Sequence, residues 1–136
     1  MADYVLDTSA LLTLLKDEDG AEEVEAILEA CDAGRSRAYL PFMSVTELEY
    51  LLLRSRGRAA VEQVLRILQA WPVERIESNL VWGRKAAAVK AQGGLSMADA
   101  WISSLALILD AELVHKDPEL DALQGLKHRR LPYKRS

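Results

Sequence analysis

Short apolar stretches with strand character alternate with longer stretches of helical period, and this alternation constrains the fold more than any other feature of the chain. Tyr4–Leu6, Arg37–Leu40 (stopped at Pro41), Pro72–Ile76, Glu112–His115 and His128–Leu131 read as strands. Ser9–Lys16, Ala21–Asp32, Ser44–Ser55, Ala59–Ala70, Asn79–Gln92 and Ser96–Leu109 read as helices, with a short one over Pro118–Leu123. In the second of these, Val24, Ile27, Leu28 and Cys31 fall on one face, as an amphipathic helix requires. Gly57 interrupts one helical run and Gly93-Gly94 stop another. Strands joined through helices pair in parallel, and the helices then cover both sheet faces. The expectation is an α/β fold in one domain spanning residues 1–136.

Composition narrows the function classes. The net charge of −4 gives no global attraction to nucleic acid, although a local basic patch still acts within a Debye length of about 8 Å. Cys31 is the one cysteine, so no internal disulfide forms and a reducing compartment is expected. No signal peptide is read, because Asp7 breaks the first apolar run. The longest apolar stretch, Leu105–Leu109, is too short to span a bilayer. A soluble, cytoplasmic protein with no membrane association is expected.

In YVLDTSALL, residues 4–12, an apolar strand stops on an acid and a helix starts at once. Three further acids stand the same way: Glu47 in SVTELEY, Asp99 in SMADAWISSLAL and Asp117 in LVHKDPEL. Each has a local explanation. Ser44-x-x-Glu47 and Ser96-x-x-Asp99 have the form of capping boxes. Asp117 before Pro118 suits an N-cap, and Asp7 or Thr8 could cap the first helix. Together they ask for more. In a parallel α/β sheet ligands bind beyond the carboxyl ends of the strands, where Asp7 and Asp117 fall. Glu47 and Asp99 begin helices that could descend from the same edge. Four converging carboxylates repel one another. Helix N-termini would hold their pKa values down, and a divalent cation would supply the larger compensation. With no cysteine or paired histidines among them, a hard ion fits, Mg²⁺ or Mn²⁺. Such a site activates water and neutralises charge on a phosphodiester.

The order Asp7 in LDTSALL, Glu47 in S-V-T-E-L, Asp99 in S-M-A-D-A and Asp117 in L-V-H-K-D resembles the PIN-domain family, most closely its small VapC-type toxins of prokaryotic type II toxin–antitoxin pairs. The resemblance covers essentially the whole chain. It implies a three-layer α/β/α domain with a central, mainly parallel sheet of about five strands. It also implies a Mg²⁺- or Mn²⁺-dependent endoribonuclease. Asp7 and Asp99 would be direct metal ligands, with Glu47 and Asp117 bound directly or through water. The family often carries Ser or Thr after its first acid, which Thr8 or Ser9 matches, and Thr two residues before its last, where this chain has His115. His115 is read either as a phosphate contact or as a partly buried strand-end histidine.

Basic residues cluster near the C-terminus, with Arg129, Arg130 and Lys134 as candidate RNA contacts. Trp71 and Trp82 are read as packing residues, and Trp101, Ile102, Leu105, Ile108 and Leu109 as core. Tyr50, Leu51, Leu52 and Leu53 point all round a helix, so part of that surface needs a cover. The resemblance implies a homodimer and a helical antitoxin as partners. Three other readings compete: a PIN-type RNA-processing nuclease without an antitoxin, a non-catalytic RNA- or protein-binding domain whose acids are only caps, and an aspartyl-nucleophile phosphatase. The last usually carries a second acid two residues after the first, and Ser9 stands there instead.

Overall fold

The computed structural model describes residues 2–133. Five parallel strands form one sheet: β1 (Asp3–Leu6), β2 (Arg37–Pro41), β3 (Glu74–Ile76), β4 (Glu112–His115) and β5 (Lys127–Arg130). Their spatial order is β3-β2-β1-β4-β5. The chain winds outward from β1 through β2 to β3, then crosses back to the other side of β1 for β4 and β5. The order therefore reverses between β1 and β4. At such a switch point the two flanking connections leave in opposite directions and open a crevice at the carboxyl ends.

Six α-helices carry the crossovers: α1 (Thr8–Leu15), α2 (Ala21–Asp32), α3 (Phe42–Ser55), α4 (Arg58–Gln69), α5 (Leu80–Ala91) and α6 (Met97–Leu109); a 3-10 turn follows β4 at Pro118–Ala122. The two faces of the sheet are read directly off the strand alternation. Tyr4 and Leu6 of β1, with Ala38 and Leu40 of β2, pack against Leu11, Val24, Leu48 and Val61. Val5 and Tyr39 point the other way, onto Trp82, Val89, Ile102 and Leu105. Successive side chains leave a strand on opposite faces, so each strand feeds both cores. The result is the expected three-layer α/β/α arrangement.

Most element boundaries fall within a residue or two of the expectation. β3 is shorter, because Trp71 and Pro72 form a bend before it. β5 lies one residue earlier than 128–131. α3 begins two residues earlier, at Phe42, which changes the role of Ser44. Its hydroxyl does not cap α3 but donates to the Leu6 carbonyl at 2.8 Å, riveting α3 to the end of β1. Ile108 is 44% exposed rather than core, whereas Ile102 and Leu105 are buried as expected. Trp82 is buried, its indole N–H donating to the Trp101 carbonyl at 2.9 Å and to the Ser104 hydroxyl at 3.0 Å. Phe42, Trp82 and Trp101 meet edge to face, with centroids 5.1–5.4 Å apart. No helix among the described residues is long and apolar enough to cross a membrane.

Candidate functional site

Asp7 ends β1 and caps α1, with its Oδ2 accepting from the backbone N–H of Ser9 at 3.1 Å. The Ser9 hydroxyl donates to the same oxygen. The carboxylate is 4% exposed, and its Oδ1 is buried without a hydrogen-bond partner among the described residues. A cap needs one oxygen. A second, orphaned one is costly to keep charged in the interior, so capping alone does not account for Asp7.

The other acids gather at the same crevice. Asp99 lies in the first turn of α6, where the Ser96 hydroxyl accepts its backbone N–H at 3.1 Å. Glu47, half-buried on α3, accepts from the Thr8 hydroxyl at 2.5 Å. Asp117 follows β4 and caps the 3-10 turn, accepting from the N–H of Glu119 at 3.0 Å. Carboxylate oxygens of Asp99, Asp117 and Glu119 lie within 4.8 Å of one another. Glu119 was not singled out from the sequence; the sign was the D-P-E run, which puts a second acid in the turn that Asp117 caps. Asp7 and Glu47 stand outside this tight trio, and both repel the charge on Asp99.

The electrostatics reverse one expectation. Helix N-termini do not hold Asp7 and Asp99 down. Burial pushes Asp7 up to about 6, against the opposing pull of the Ser9 hydrogen bonds, and Glu47 and Asp117 add repulsion. Asp99 is pushed up to about 7, by burial first and then by Asp7, Asp117 and Glu47. A helix end contributes about half a charge at its tip, less than the desolvation and the neighbouring full charges together. Without a counter-ion, therefore, the two buried acids hold their protons well above the usual carboxylate range. An all-oxygen donor set of converging carboxylates, one with an unpaired buried oxygen, fits a hard divalent cation.

His115 is fully buried, so it does not meet a phosphate at the surface. Its Nδ1 accepts the backbone N–H of Asp117 at 3.1 Å. Nε2 therefore carries the proton and donates to His128 Nδ1, 2.9 Å away. The two histidines, separate in sequence, are paired in space. Burial, then the neighbouring His128, pushes His115 down to about 4, so the ring stays neutral. Asp121 completes this network, accepting from Arg130 at 2.6 Å and from the Tyr133 hydroxyl at 2.8 Å. Arg130 is thus already paired, and Arg129 lies 3.9 Å from Glu112 and over the Tyr4 ring. Both stay about half exposed at the edge strand. Lys134 lies outside the described residues.

Comparison with known proteins agrees with this fold. Solved structures of similar fold include VapBC2 from Rickettsia felis bound to a DNA fragment from their promoter, 16% identical, covering 96% of this chain and 99% of that one, with a TM-score of 0.77. VapBC-1 from nontypeable Haemophilus influenzae is 25% identical over 94% of this chain and 97% of that one, TM-score 0.69. VapC20 from Mycobacterium tuberculosis, a sarcin-ricin loop cleaving toxin, is 16% identical over 93% and 98%, TM-score 0.71. None of the curated proteins matches in sequence. The PIN domain model matches residues 4–126, a span that holds all four acids, and the chain belongs to the PIN domain family.

Proposed function

We propose that this protein is a VapC-type toxin, an endoribonuclease that hydrolyses RNA phosphodiesters with Mg²⁺ or Mn²⁺ and is silenced by a cognate antitoxin. The buried, unpaired Oδ1 of Asp7 inside a ring of mutually repelling carboxylates carries the reading. Capping leaves that oxygen unexplained, and a bound cation explains it. Asp7 and Asp99 would hold the ion directly, and Glu47 and Asp117 directly or through water. Glu119 joins them through its place beside Asp99 and Asp117. The ion would supply water activation and charge neutralisation at the phosphate.

The chain's own residues prepare that chemistry. Ser9 and Thr8 orient two of the carboxylates through their hydroxyls. His115 holds the Asp117 backbone from behind. The acids need no covalent role. Loss of the Asp99 and Asp7 protons on ion binding follows from their raised pKa values. The exposed Tyr50, Leu51 and Leu53 on α3 would supply a homodimer or antitoxin contact. Cys31 as a free thiol accords with a cytoplasmic setting.

The test is incubation of the purified protein with total RNA under Mg²⁺, Mn²⁺ or EDTA, beside Asp99→Asn, with the cut ends mapped. Discrete cuts that vanish with EDTA and in Asp99→Asn are expected. No cuts with either metal, together with no heat of Mn²⁺ binding, would return the acids to capping and leave a binding domain.

A further inference from the structure

Beside the acid cluster lies a partly open cavity of about 270 Å³. Ser9, Leu12 and Lys16 of the first helix and its end line it, with Glu18 just beyond and Lys116, Pro118 and Tyr133 completing the wall. Its place matters as much as its size. Ser9 touches Asp7, and Pro118 follows Asp117. Anything bound there adjoins the centre proposed for phosphate hydrolysis.

We infer that this cavity is a nucleobase subsite, taking the base of the nucleotide next to the cleaved phosphate; the inference rests on the RNA-cleaving reading above. Its walls suit a flat, partly apolar ligand: the Leu12 side chain, the Pro118 ring and the Tyr133 ring. Tyr133 is already fixed, because its hydroxyl donates to Asp121 at 2.8 Å. A rigid aromatic loses little entropy when a base stacks on it, and stacking tolerates any base because each has a π-face. Charge argues the same way. Lys116 is buried and neutralised, its Nζ donating to the Asp19 carbonyl at 2.6 Å and lying 3.6 Å from Glu18. Lys16 has no partner among the described residues. One uncompensated cation at the cavity repels an arginine or lysine of a protein partner and attracts the phosphate that accompanies a base. The acid ring next door gives RNA no such attraction, so a cationic, stacking niche is what the strand needs there.

The test is calorimetric titration of the Mg²⁺-loaded full chain with the four ribonucleoside 5′-monophosphates and with ribose 5-phosphate, which lacks the base. The chain is compared with Tyr133→Phe, which keeps the ring but not the Asp121 bond, and Tyr133→Ala, which loses both. Circular dichroism checks that each variant is folded. At least one nucleotide should bind about 5- to 150-fold tighter than ribose 5-phosphate, the equivalent of one stacked base. Tyr133→Phe should keep part of that ratio, since the ring remains but the Asp121 bond that fixes it is gone, and Tyr133→Ala should lose it. Equal binding of nucleotides and ribose 5-phosphate overturns the subsite, as does a loss in Tyr133→Phe as large as in Tyr133→Ala. Equal binding combined with a weakened antitoxin complex in Tyr133→Ala would give the cavity to the antitoxin, also overturning it. Because binding is read without turnover, the subsite can fail while RNA cleavage stands, and cleavage can fail while nucleotide binding stands.

Discussion

The Ser9 hydroxyl joins Asp7 to Lys116: it donates to Asp7 Oδ2 and accepts the backbone N–H of Lys116 at 2.9 Å. One small side chain thus spans the switch point between β1 and β4 and fixes the orientation of the most buried acid. Ser9→Ala should keep α1, since the Ser9 backbone N–H still reaches Asp7. It should weaken Mn²⁺ binding by about 10- to 100-fold, the usual cost of losing a group that orients a metal ligand. Calorimetry at fixed pH measures this, and an unchanged affinity would remove Ser9 from that role.

Asp99→Asn should lose more than about 100-fold in RNA cleavage, because giving up even about 3 kcal/mol of charge stabilisation costs that much. The same variant should be more stable than the parent in EDTA at pH 8, since a repelled buried charge is gone. Cleavage assays and urea midpoints, run on one preparation, show whether the two effects have opposite signs.

The stability difference between these two proteins should depend on pH. Asp99 has an ordinary value of 3.8 and stands at about 7 in the fold. Between those values the folded state holds a proton that the unfolded chain has released, so stability falls as pH rises. His115 runs the other way, losing stability as pH falls from 6.5 toward about 4. Comparing Asp99→Asn with the parent cancels the histidine. The variant's advantage in EDTA should grow from pH 4 to about 7 and then level off. A flat difference would show that Asp99 titrates normally. Mg²⁺ should stabilise the parent more at pH 8 than at pH 5, because at pH 5 protons compete for the same oxygens.

His115 is a positioning residue in this geometry, acting on the Asp117 backbone rather than on substrate. His115→Ala leaves a buried N–H without its acceptor and should lower Mn²⁺ affinity by about 10-fold or more. His115→Asn, which can still accept from that N–H, should recover part of the loss. His128→Ala should do less, because it removes only the outer partner. Metal affinity, rather than cleavage alone, separates this from a general loss of fold.

Trp82→Ala should cost about 3–5 kcal/mol, typical of emptying a buried aromatic site. It also removes the indole donor shared by the Trp101 carbonyl and the Ser104 hydroxyl, which stay bonded to each other. Urea denaturation in EDTA measures it without interference from the metal.

The sheet was largely legible because Tyr4, Val5 and Leu6 alternate faces in a parallel sheet covered on both sides, where all three are apolar. Asp7, Asp99 and Asp117 were legible because each stands at an element boundary; Glu47, expected to begin its helix, lies a full turn inside α3, which starts at Phe42. Ser44 was misread as a cap, since its partner is the Leu6 carbonyl 38 residues away, which no local pattern encodes. The pairing of His115 with His128 depends on the β4–β5 register, Leu113 beside His128, and nothing short-range announces it. The raised acids escaped for a related reason: dipoles are local and readable, whereas burial and repulsion belong to the assembled crevice. Glu119 was passed over because acids in first turns are common.

The strand order also fixes when, along synthesis, the acid ring can close. A chain that has left the ribosome only as far as α5 owns Asp7 and Glu47, but neither α6 nor β4, and so half a ring. Asp99 and Asp117 come from the last third of the sequence, and β4 must slot in beside β1, the earliest strand, to deliver the fourth acid. On the proposed reading, a nuclease built this way emerges blunt beside the RNA-rich machine that makes it. It gains its edge only once α6 and β4 have joined the sheet.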